Sequence, residues 1–139
     1  MNTNIYLWHK NYNMLKSFKN YLVSNNINIS EENQVTISFE YSNLNYVAIF
    51  DENDPFYFRL ALPNILSVEN ENNITQLYEI INATNVNFKA IKTIIYNKNI
   101  WILIEEFVYS KESIDELFKR SIENLKFVFA DFKDKINKK

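Results

Sequence analysis

Residues 35–62 read VTISFEYSNLNYVAIFDENDPFYFRLAL, and this stretch decides the fold. Val35, Ile37, Phe39 and Tyr41 alternate with Thr36, Ser38 and Glu40, the period of two that marks a half-buried strand. Ser42-Asn43 supplies a short turn, and Leu44 to Phe50 forms a second strand. Asp51-Glu52-Asn53-Asp54-Pro55 is a charged turn leading into a third strand, Phe56 to Leu62, which Pro63 stops. Connections this short make an antiparallel meander, because a parallel pair needs a crossover of about a dozen residues or more.

Upstream, Ile5, Trp8, Tyr12, Leu15, Phe18 and Leu22 fall three or four residues apart, the spacing of one helix face. Thr3 or Asn4 can cap this first helix, and Asn25-Asn26 can end it. Residues 27–34, INISEENQ, are polar and read as a loop, as do residues 67–73. Downstream, Ile74, Leu77, Tyr78 and Ile81 return to helical spacing, with Asn72 or Asn73 as the cap and Gln76 three residues after Asn73 as in a capping box. This second helix runs to about Thr84-Asn85. Phe88 to Tyr96 and Ile100 to Val108 are a fourth and a fifth strand around an Asn97-Lys98-Asn99 turn. Ser110 then precedes the longest helix, roughly Lys111 to Ile136, with acidic residues early and lysines late, as its dipole favours. The expected architecture is one α+β domain, α-β-β-β-α-β-β-α, with a five-stranded, mainly antiparallel sheet and three helices over residues 1–139.

Composition narrows function. A chain of 139 residues has room for one core. Fifteen basic against seventeen acidic side chains leave a net charge of −2, so there is no basic field to hold nucleic-acid phosphates. The absence of cysteine removes disulfides, thiolate catalysis and cysteine-ligated zinc. The absence of glycine removes the phosphate-cradling loops that require it. It also makes Asn the residue for left-handed turns. The opening MNTNIYLWHKNYNMLKS has no basic leader region, and no apolar run approaches the length a bilayer demands. A cytoplasmic protein is expected, without membrane attachment, and the Asn-X-Ser/Thr triplets at Asn28, Asn73 and Asn82 then carry no meaning.

The element order with its long last helix resembles the type III secretion chaperone-like fold, and more closely the bacterial YbjN family. The resemblance is carried by Ile80-Ile81-Asn82-Ala83-Thr84-Asn85 followed by Phe88, then a hairpin, then Ser110-Lys111-Glu112-Ser113-Ile114. It spans about residues 5 to 136. What it implies is a small cytoplasmic protein without catalytic chemistry. Type III chaperones are usually dimers that hold an unfolded stretch of an effector on apolar surface, and YbjN-like proteins are described as sensory-transduction regulators.

Candidate chemistry is sparse. The single His9 follows Trp8, and local sequence offers it neither a nucleophile nor an orienting acid. Asp51, Glu52 and Asp54 crowd one turn, but a calcium loop wants alternating acids, a Gly at its bend and a distal Glu. Glu69 and Glu71 form a similar solvated group. Glu105 and Glu106 lie mid-strand on opposite faces; they read as strand-end residues in water or as partners for Arg59 or Lys92, with a catalytic acid as the rarer reading. No catalytic residue, metal site or cofactor is expected.

The aromatics are the stronger signal, at 11 Phe, 9 Tyr and 2 Trp. The strands are apolar on both faces: Trp101, Leu103 and Phe107 oppose Ile100, Ile102, Ile104 and Val108. Three helices can cover both faces between them. Otherwise a leftover apolar patch marks a dimer or peptide-binding surface. The expected function is therefore non-catalytic binding of a protein partner or peptide segment, a homodimer included, with Tyr57, Tyr78, Ile80, Ile91 and Trp101 as the surface. Two alternatives stay open: an immunity or regulatory protein binding through an acidic patch at Asp51–Asp54 or Glu69–Glu71, and a small-ligand-binding protein with an apolar pocket using Glu105 or His9.

Overall fold

The computed structural model describes residues 13–70 and 72–138. Three α-helices and one sheet account for most of them. Helix α1 spans Met14–Ser24, α2 Ile74–Asn87 and α3 Ile114–Lys138. The strands are β1 (Ile29–Glu32), β2 (Thr36–Tyr41), β3 (Leu44–Asp51), β4 (Asp54–Ser67), β5 (Ile91–Tyr96) and β6 (Asn99–Phe107). They lie in the order β1-β2-β3-β4-β6-β5, every neighbouring pair antiparallel. The meander and the later hairpin thus share one sheet, joined where β4 pairs with β6.

The sheet has six strands, not the five that the alternation predicts. The sixth, β1, falls in the stretch that reads as a polar loop. Its sequence, ISEE, holds a single apolar residue, Ile29, opposite Phe39, while Glu31 and Glu32 pair with Ser38 and Ile37. Backbone hydrogen bonds to β2 form it, and they leave no hydrophobic period in the sequence. Pro63 also fails to stop its strand. The β4 ladder runs to Leu62, shifts register and resumes at Leu66 opposite Ile100. The missing N–H of Pro63 sits inside that irregularity, where nothing calls on it.

Within the described residues α1 starts at Met14. Asn13 is extended (φ −115°, ψ 103°), and its side chain accepts a hydrogen bond from the Lys16 amide at 3.0 Å. The expected start at Ile5, its caps Thr3 and Asn4, and His9 lie outside the described residues. The α2 cap matches its sequence signature: Asn73 Oδ1 accepts from the Gln76 amide at 3.0 Å. That helix continues to Asn87, and β5 begins only at Ile91.

All three helices pack on the same face of the sheet. Phe18 and Leu22 of α1, Leu77 of α2, and Phe118, Ile122, Leu125, Val128 and Phe132 of α3 are buried there. The sheet contributes Ile37, Phe39, Tyr46, Ala48, Phe58, Leu60, Ile100 and Ile102. Phe18 lies among Phe39, Phe50, Phe58 and Phe118, with ring centroids 4.9–6.1 Å away. Tyr46 stacks on its cross-strand partner Phe39 at 4.9 Å and donates its hydroxyl to the Ile122 carbonyl, fastening α3 to the sheet. Burial pushes the Tyr46 phenol up.

The two outer strands are closed differently. On β5, the Asn85 side chain of α2 accepts from the Thr93 amide at 2.6 Å and donates to the Thr93 carbonyl at 3.1 Å. It thereby does for that residue what another strand would do. On the other side, β1 is short, mostly exposed and acidic, and carries a register irregularity.

Turns without glycine have a cost. Eight described residues hold positive φ: Asn26, Ser42, Asn43, Asn64, Ala90, Asn97, Lys98 and Ser113. Asn tolerates this region through local hydrogen bonding, but Ala90, at φ 62°, has no polar group to offset its Cβ clash. Ala90→Gly is expected to stabilise the fold by about 1 kcal/mol, the steric relief exceeding the entropy lost. A urea-unfolding midpoint that fails to rise would contradict this account of the α2–β5 turn.

Candidate binding face

The face of the sheet opposite the helices is assembled by alternation. Thr36 and Ser38 come from β2, Val47 and Ile49 from β3, and Tyr57, Arg59 and Ala61 from β4. Strand β6 adds Trp101, Leu103, Glu105 and Phe107, and β5 adds Lys92, Ile94 and Tyr96. No described helix covers these side chains. Ala61 and Leu103 are nonetheless buried, whereas Phe107 and Tyr96 are exposed.

At the centre stands a charged cluster. Arg59 and Glu105 are direct cross-strand partners, and Arg59 Nη2 lies 3.1 Å from Glu105 Oε2. Lys92 reaches the other carboxylate oxygen diagonally, 3.1 Å away. The Tyr57 hydroxyl donates to the same carboxylate, and the Arg59 guanidinium lies 5.5 Å from the Tyr57 ring centre. Glu105 thus receives three donors. The Tyr57 hydrogen bond first, then those from Lys92 and Arg59, hold its carboxyl at about 2, against an ordinary 4.5. Burial, then the bond to Glu105, pushes the Tyr57 phenol up to about 12. Neither group titrates near neutral pH, so as a pair they are poorly matched to proton transfer there. Arg59 Nε is buried and has no hydrogen-bond partner among the described residues, a cost of about 1–3 kcal/mol. That cost offsets part of what the three hydrogen bonds to Glu105 contribute.

Two aromatic ends flank this centre. At one, Tyr96 meets Trp101 edge to face at 5.6 Å, and Trp101 Nε1 donates to Asn64 Oδ1 at 3.1 Å. Asn64 takes its left-handed conformation in the irregular stretch after Pro63. At the other, Tyr57 and Phe107 lie 6.2 Å apart. Trp101 and Phe107 stand six positions apart on β6, about 20 Å along an extended strand. A shallow depression of 970 Å³ opens beside Tyr57, Arg59, Glu105 and Phe107, rimmed by Asp51, Glu52 and Asp54. Among the described residues no group of three His, Cys, Asp or Glu side chains could hold a metal ion.

The five surface residues expected from sequence do not form one patch. Tyr57 and Trp101 share the helix-free face. Ile91 lies on the core face and is buried, Ile80 packs partly buried against the core, and Tyr78 projects into solvent from α2. The expected surface omitted Phe107, which shares the parity of Trp101 along β6, and Ile49, Ile94 and Tyr96, which the register between strands puts on the same face. No protein-family model, curated protein or solved structure matches this chain. No helix among the described residues is long and apolar enough to cross a membrane.

The charged cluster makes stability depend on pH. Because folding lowers the Glu105 pKa, its contribution is present above 4.5 and is lost as pH falls through about 2. Tyr57 acts at the other limit: its raised pKa gives a contribution present below 10 and lost as pH rises through about 12. Glu105→Gln is expected to flatten the acid limb of the urea midpoint against pH. Tyr57→Phe is expected to return the Glu105 carboxyl toward its ordinary value in a carbon-13 NMR titration. An unmoved Glu105 titration would mean that Arg59 and Lys92 alone hold the carboxylate.

Proposed function

We propose that this chain is a non-catalytic protein-binding module, of the secretion-chaperone-like or YbjN-like kind, that takes a protein partner or peptide segment on its helix-free sheet face. The observation that carries the reading is that Val47, Ile49, Ile94, Tyr96, Trp101 and Phe107 share a face over which no described helix lies. Aromatic rings with a polar atom at one end combine apolar area with hydrogen bonding, the composition of binding hot spots. The Arg59–Glu105–Lys92 cluster between them would fix register and penalise partners that misplace charge. A second copy of the chain is one partner this face could take.

A second reading has its own support. Asp51, Glu52 and Asp54 make no ion pair among the described residues and lie together at one hairpin, as an immunity or regulatory protein with an acidic patch would need. Its binding would weaken steeply with salt, whereas apolar docking at Trp101 would not.

The test places a photoreactive residue at Ile94 or Trp101, and at Glu116 on the exposed side of α3 as control, in extracts of the source cells. Adducts to a protein from the first two positions and none from the third support the reading; adducts from the control alone overturn it. For the partner so captured, Trp101→Ser is expected to cost about 2 kcal/mol, close to thirtyfold in Kd, with circular dichroism confirming the fold.

A further inference from the structure

The last turns of α3 lie over the irregular part of β4. Between Leu62 and Leu66, β4 advances four positions while β6 moves only from Ile102 to Ile100. Strict alternation would put Ile65 on the helix-free side with Ala61, yet it packs partly buried against the core, as does Leu66. The irregularity thus sets two consecutive apolar side chains beneath Phe129, Phe132 and Ile136 of α3, and together they line a cavity of 160 Å³. Its polar residues are Lys133 and Asn137, one helical turn apart. Both also line a wider depression of 430 Å³ beside Ser42 and Leu44, so they stand at the mouth of the cavity. Charge at this mouth is unbalanced. Asp131 and Asp134 are engaged by Lys135 and Lys138, each at 2.8 Å. Lys126 and Lys133 make no ion pair among the described residues, and their ammonium groups lie 5.7 and 5.8 Å from the ring centres of Tyr41 and Phe129. A sugar in this cavity would leave hydroxyls unpaired against Ile65 and Phe132, and an organic cation would meet Lys133. An anionic head on a slender apolar tail satisfies both ends of the site.

We propose that the cavity under the last turns of α3 binds a single-chain carboxylate, a short fatty acid in chemical class. The tail lies between Ile65, Leu66 and Phe132, and the Lys133 ammonium and the Asn137 amide donate to the carboxylate at the mouth. A methylene fills about the share of one water molecule, roughly 30 Å³, so the cavity takes a tail of about five carbons. The dipole of α3 presents its negative end here and by itself would repel an anion, so the head depends on Lys133. The site is on the helix side of the sheet, and it stands or falls independently of partner binding on the opposite face.

The test is an amide NMR titration of the full-length chain with sodium butanoate, hexanoate and octanoate. Saturable shifts are expected at Ile65, Leu66 and the Phe129–Asn137 turns. Each methylene that enters the cavity tightens Kd about fourfold, so hexanoate should bind about fifteenfold better than butanoate, and octanoate little better than hexanoate. Hexyltrimethylammonium, with a six-carbon chain and the opposite charge, should bind at least tenfold more weakly than hexanoate. Lys133→Gln, an exposed position, should weaken hexanoate about tenfold with circular dichroism unchanged, and Ile136→Phe, which fills the cavity, should remove the gain from butanoate to hexanoate. Should Ile136→Phe fail to fold, the chain-length series and Lys133→Gln still decide. Shifts centred on Trp101 and Phe107, equal binding of the cation, or a hexanoate affinity that ignores Lys133→Gln overturns the proposal. So does broadening by phosphatidylglycerol vesicles without a saturable hexanoate shift, which would make the lysines a lipid-surface contact.

Discussion

Phe18 and Phe118 meet edge to face, 4.9 Å between ring centres, and the arrangement of layers depends on that contact. It joins the first helix to the last over the middle of the sheet, with Phe39, Phe50 and Phe58 beneath. Offset and perpendicular ring contacts of this kind add about 0.5–1.5 kcal/mol each beyond area burial. Once α1 and α3 are drawn together on one side and α2 follows onto β5, no described helix remains for the reverse. That no described helix lies on this face is therefore a consequence of core packing and required no surface feature of its own.

The face opposite the described helices reconciles two demands. It must not behave as a second core, yet its strands carry apolar side chains at every other position. Arg59, Lys92 and Glu105 resolve the conflict by placing three charges where a continuous greasy band would run. Arg59 and Glu105 are only partly exposed, so water screens that pair incompletely, while Lys92 reaches it from the solvent side. The aromatic residues are thereby divided into two separate ends instead of one large patch.

Much of the fold was legible from side-chain period alone. The meander, the hairpin, the cap at Asn72 or Asn73 and the long last helix each leave a local signature; Arg59 and Lys92 stand out as possible partners for Glu105 or Glu106, and only the register of β4, β5 and β6 selects Glu105 for both. Three features left no such trace. β1 is held by backbone pairing to β2 and shows almost no apolar alternation. The passage of β4 through Pro63 depends on a register shift that only the partner strand β6 defines. The distribution of helices between faces is a tertiary choice: Trp101 and Phe107 look equally suited to a core or a surface until the Phe18 cluster is in place. For the same reason the expected surface mixed residues of the open face with Ile91, which the core takes.

The side chain of Asn85 has a reach beyond the residue it touches. By occupying the outward amide and carbonyl of Thr93 it blocks lateral growth of the sheet at β5, and the carboxylates of β1 discourage it at the opposite margin. Association through the surface between those margins would be stacking, one layer upon one layer. A face-to-face stack would bury the surface it uses and end at two layers, whereas edge-to-edge addition would leave a new edge at every step.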